Sequence, residues 1–123
     1  MLDPYSNGAR AIGIAIRTAH LFAMAVFVGG VHVAPGAPSL DAWRAATIAT
    51  GAALLVTEMS HGREWLFQVR GLAALVHAAA IALLAVGGTE RSATTVALVL
   101  GAVGSHVPRA VRKFSLRHGR VVD

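Results

Sequence analysis

Residues 65–88 read WLFQVRGLAALVHAAAIALLAVGG, and within them the 18 positions 71–88 hold no fixed charge and one ionisable side chain, His77. As a helix those positions span about 27 Å at ~1.5 Å per residue, close to the thickness of a bilayer's hydrocarbon core. An imidazole near the middle of such a span is costly in lipid, so His77 marks a candidate functional site whose partner has to be found elsewhere in the chain.

The whole sequence supports the membrane reading. It has 123 residues, 55% of them hydrophobic and only 14% charged, with a mean hydropathy of +0.62. That is too apolar to make an ordinary water-facing surface, and the length suits one domain of about four short spans. The absence of cysteine excludes disulfides, thiolate metal sites, iron–sulfur clusters and covalent haem attachment. The formal charge is +5, but five of the eleven basic residues lie in the last fifteen positions, beside a span. A basic segment in that place reads as a topology signal and a contact for anionic lipid rather than for nucleic acid. The opening MLDPYSNG has neither a basic leader nor a small-residue cleavage pattern, so no removed signal peptide is expected.

Working outward from His77, the spacing predicts an all-α, up-down-up-down four-helix transmembrane bundle, read as a single domain over 1–123. The first span covers residues 11–33 and stops at Pro35, Gly36 and Pro38. Arg17 and His20 are three residues apart on it and share a face. Ser39 and Asp41 signal a second start, with Trp43 at an interfacial level, and this span covers 42–61. Its small residues, AATIATGAALL, let helices approach closely in lipid, and Gly62 can end it. The third and fourth spans cover 66–87 and 92–108, followed by a basic tail at 109–123 that either leaves the helix at Pro108 or continues as a kinked interfacial extension, with His118 expected to be solvated. One side of this arrangement collects Arg10, Arg63, Arg70 and the tail, whereas the other has only Arg44 and Arg91. The positive-inside rule therefore places both termini in the cytoplasm of a bacterial-type inner membrane.

With direction alternating from span to span, histidines can be matched by depth. His20 lies about 15 Å from the cytoplasmic face and His77 about 18 Å. His106 is about 6 Å or less from the exit of the fourth span, and His61 is within a turn of the exit of the second. The level pairs are thus His20 with His77 and His61 with His106. Two imidazoles facing across a bundle can take both axial positions of a haem iron, with the apolar porphyrin between the helices. Gly13, Gly29, Gly51, Gly71, Gly101 and Gly104 would make room for a macrocycle, and Arg17, Arg63, Arg70, Arg109 and Arg112 are the cations expected to meet haem propionates. Met24, one turn beyond His20, is an alternative ligand, although a Met on an apolar face usually packs. His32 has no level-matched histidine.

In helix number and histidine placement, the chain resembles the small four-helix integral membrane b-type cytochromes. Arg17-Thr18-Ala19-His20 followed by Gly29-Gly30 is also similar to the first span of several bacterial membrane families, and the Ser105-His106-Val107-Pro108-Arg109 stretch with His118-Gly119-Arg120 has the look of a motif. The resemblance implies two non-covalent b haems and electron relay in the bilayer, to or from quinone or another redox partner, by one chain or a homo-oligomer. Two other readings stand beside it. One is a protein that binds or moves a proton, a metal or haem itself through His20, His77 and Arg17. The other is a non-redox structural or assembly subunit, with histidines that hydrogen-bond neighbouring helices.

Overall fold

A computed structural model describes residues 6–60, 62–87 and 89–121, with the backbone alone described for 83–87. The described chain is mainly α-helical, as the hydropathy pattern requires, and forms two compact units, 1–61 and 62–123.

The first unit is an antiparallel hairpin of α1 (Asn7–Val33) and α2 (Leu40–Met59). Helix α1 starts four residues earlier than the hydropathy suggests because Ser6 caps it, its Oγ accepting from Ala9 N at 3.1 Å. After Val33 the chain reverses through Gly36, whose φ of 86° needs a residue without Cβ. Phe27, Val31 and Leu40 form the buried cluster under this turn, with Ala37 and Trp43 against it. The Leu40 side chain lies where a Cβ on Gly30 would sit. The turn end is therefore closed by apolar packing, which the opposite end of the hairpin lacks.

The second unit opens with a 3-10 helix, Arg63–Phe67, followed by α3 (Val69–Gly87) and α4 (Glu90–His106). Thr89 caps α4, accepting from Ser92 N. Pro108 stops it, because the residue before a proline is pushed out of the helical region and Val107 is extended, with ψ 133°. The basic segment beyond is folded, with His118 and most of its other side chains exposed. It forms a short helix α5 (Arg109–Arg112) and an antiparallel pair of strands, β1 (Phe114–Ser115) and β2 (Arg120–Val121), closed at Gly119 with φ 62°. This hairpin docks on the 3-10 helix. Leu116 N donates to Phe67 O at 2.9 Å, Ser115 bridges Gln68, the Arg117 guanidinium stands 5.3 Å over the Phe67 ring, and His118 Nε2 donates to Glu64 Oε2 at 2.9 Å. Ser115 is completely buried and Trp65 nearly so.

Among the described residues one helix, Asn7–Val33, is long and apolar enough to cross a membrane, with a mean hydropathy of 1.9 over its best window. Only 11% of that window is buried inside the protein, whereas a core helix of a water-soluble fold is mostly covered. Helix α3 is apolar over the shorter Val69–Ala82. Helices α2 and α4 are more polar in sequence, yet Thr47, Thr50, Thr57, Thr94 and Thr95 each return their hydroxyl proton to the carbonyl four residues back, as Thr18 does in α1. That bond satisfies a hydroxyl without water.

Gly71 tests the packing under α3, since a Cβ there would run into the Trp65 carbonyl oxygen, a backbone atom that cannot swing aside. Gly71→Ala should cost about 1–3 kcal/mol. It should lower the thermal transition and red-shift Trp65 emission when read in a Trp43→Phe background. Gly104→Ala, whose new methyl would meet Ala73 Cβ at an ordinary 4.0 Å, is the neutral control.

Candidate functional site

Helix α1 presents Arg17 and His20 to α2, three residues apart as the sequence requires for a shared face. His20 lies beside Thr50 and Gly51. A methyl on Gly51 would stand 3.1 Å from His20 Cε1, so the missing Cβ is what admits the ring. His20 Nδ1 is 3.0 Å from Thr50 Oγ1. The hydroxyl has one proton, and it lies 2.7 Å from the Ala46 carbonyl, which can only accept. Thr50 Oγ1 therefore accepts from the ring, His20 carries its proton on Nδ1, and the Nε2 lone pair is left for another partner. Arg17 reaches Glu58 with Nη2 to Oε1 at 2.5 Å, near the end of α2.

The second unit repeats the imidazole-on-glycine contact. His77 is seated against α4, where a methyl on Gly101 would come 3.5 Å from its Cε1. His106 is exposed at the end of α4, with Nδ1 2.8 Å from the Ala102 carbonyl and 3.2 Å from Ser105 Oγ. A carbonyl accepts only, so this ring too carries its proton on Nδ1. His32 has the same geometry, Nδ1 to Val28 O at 2.8 Å. His61 lies outside the described residues.

The five arginines of the expected propionate set take these places. Arg17 has Glu58 as its local counter-ion, and Arg70 Nε donates to Gln68 Oε1 at 2.6 Å. Arg63 begins the 3-10 helix, and Arg109 and Arg112 bound α5. Of the glycines, Gly51 and Gly101 admit imidazoles, Gly30 a leucine side chain and Gly71 a backbone carbonyl, while Gly13 and Gly29 face open space. Among the described residues no three His, Cys, Asp or Glu side chains gather as a metal-ligand set. Sequence reasoning missed Thr50, the group that orients His20. The available signal was a hydroxyl next to Gly51 in an otherwise small and apolar stripe, a place where a polar side chain needs a reason.

An axial haem ligand is a neutral imidazole bonded through one nitrogen, with the other held by an acceptor that fixes ring and tautomer. His20 and His106 each have Nδ1 beside an acceptor oxygen, of Thr50 and Ala102. Comparison of the chain with protein-family models, with curated proteins and with solved structures finds no match.

Imidazole 15N spectra of the labelled protein should show the His20 ring protonated at Nδ1. Thr50→Val keeps the shape and removes the acceptor, so His20 should pass to a tautomer mixture while His106 stays unchanged. A His20 signal indifferent to Thr50→Val would refute the proton assignment.

Proposed function

We propose that the chain is an integral membrane protein of four α-helical spans, a b-type cytochrome that relays electrons within the bilayer. The single observation that carries this reading is the oriented, lone-pair-bearing Nε2 of His20 inside an apolar span. The exposed apolar side chains of α1, among them Ile14, Leu21 and Phe22, support the membrane part. So do the threonine hydroxyls satisfied within their own helices.

In this reading His20 would hold one haem b, and the level match in the sequence gives His77 as the residue that would hold it with His20. The same match gives His61 and His106 to another haem. Haem supplies reversible one-electron transfer at its iron. The protein's own residues do the rest: Thr50 holds the ring of His20, Ala102 that of His106, and surrounding apolar side chains exclude water. Arg17, Arg63, Arg70, Arg109 and Arg112 are the cations offered to the propionates. Quinone, dissolved in the same bilayer, is the redox partner this location favours.

A second reading has its own observation, the Arg17–Glu58 pair one turn from His20, which suits a protein that binds or moves protons. Colour separates the two. The purified protein should be red, with a reduced-minus-oxidised difference spectrum and two haems per chain, and it should stay in the membrane pellet through an alkaline carbonate wash. His20→Ala and His77→Ala should remove the same spectral component, and His61→Ala and His106→Ala the other. A colourless protein after expression with ample haem would leave the proton reading standing.

A further inference from the structure

Among the described residues at the Pro108 end of the second unit, Glu64 is the one carboxylate, and His118 already meets it at 2.9 Å. Arg112, Arg117 and Arg120 meet no carboxylate there, and the last two are exposed. The hairpin between them is turned inside out. Its strands pair Phe114 with Val121 and Ser115 with Arg120, so the two pairs stand on opposite faces. Ser115 is wholly buried, and its Oγ has no hydrogen-bond partner among the described residues. Leu116, the next residue, is 63% exposed, and Val111 on α5 is 49% exposed. Burying a hydroxyl without a partner is unfavourable, and a leucine gains nothing by standing in water. Nor is the leucine loosely held. Its N–H is bonded to Phe67 O, and beside it the Arg117 guanidinium is fixed 5.3 Å over the Phe67 ring. The fold thus spends backbone bonds on presenting an apolar side chain between unneutralised cations.

A partner for that surface must offer anionic acceptors with an apolar layer directly behind them. Nucleic acid presents phosphates without such a layer, whereas a leaflet of anionic phospholipid has both. We propose that the hairpin is an interfacial anchor for an anionic leaflet of the phosphatidylglycerol type. Leu116 enters the acyl boundary, and Arg117 and Arg120 donate to lipid phosphates. The segment leaves α4 at Pro108 and docks on the 3-10 helix that leads into α3, so it lies where one helix ends and the other begins, the level of headgroups. Composition alone makes this segment a contact for negative charge. The fixed tip makes its binding depend on the acyl layer as well. This inference rests on the membrane reading and not on the haem.

The sequence has no cysteine, so Leu116→Cys places a single environment-sensitive fluorophore on the tip of the full chain. In nanodiscs of phosphatidylcholine mixed with phosphatidylglycerol, its emission should shift to the blue and be quenched by a lipid spin-labelled just below the headgroup. In phosphatidylcholine alone it should stay that of water. Arg117→Gln should raise the phosphatidylglycerol content needed for half the shift about fivefold, the worth of one surface cation. Unchanged Trp65 emission in a Trp43→Phe background shows that the hairpin stays docked, and Arg120→Gln takes the place of Arg117→Gln if it does not. A probe that stays in water in both lipids, or enters both equally, overturns the proposal. So does one that shifts only when an oligonucleotide or polyglutamate is added, because the surface would then belong to another macromolecule. Release of the protein from membranes by carbonate would instead defeat the membrane reading itself, whereas a carbonate-resistant protein whose probe stays in water defeats this anchor alone.

Discussion

The first hairpin depends on one proton. Thr50 has a single hydroxyl hydrogen, and the Ala46 carbonyl four residues back takes it. The oxygen is left with lone pairs only, and His20 can meet it only as a donor. From that follow the tautomer of the ring, the direction of its free lone pair and the need for a glycine at position 51, where any Cβ would crowd Cε1. An ordinary helical back-bond, the kind that makes threonine tolerable in an apolar helix, thereby becomes the part that orients the His20 ring.

The same economy of polar groups runs through the helices. Each helix-interior threonine closes its hydroxyl on its own backbone, while large apolar side chains such as Phe22, Ile48 and Val103 stand exposed. Each hairpin then seats a histidine on the glycine of its second helix, so the close approach that small residues permit is used by imidazoles as much as by backbones.

The two ends of the first hairpin show how unevenly that approach is shared. At the turn, Leu40 fills the space over Gly30 and joins Phe27 and Val31 in a closed apolar cluster. At the opposite end Gly13 has no such neighbour, and an ion pair stands where packing would have been. In the second unit the corresponding burial is supplied by the chain's own basic segment. Ser115, Gln68 and Trp65 form a small buried contact beneath α3, with Arg117 over Phe67 and His118 on Glu64 at its edge.

The helical class was legible in the sequence, because hydrophobic runs and breakers such as Pro35 and Pro108 act locally on the backbone. Arg17 and His20 were legible as a pair for the same reason: a period of 3.6 residues puts them on one face whatever surrounds them. What faced them was not. Thr50 lies thirty residues from His20 and Glu58 forty-one from Arg17, and such contacts depend on the register between two helices, which no local pattern specifies. The folding of residues 109–121 was hidden for a related reason. A run rich in arginine shows no local sign of this hairpin, which depends on Glu64, Phe67 and Gln68, some fifty residues away, for a carboxylate, a ring and a backbone edge. Composition determined which groups had to be satisfied, and only the tertiary structure decided by which partners, because hydrogen bonds and close packing are selected by position in space and not by order along the chain.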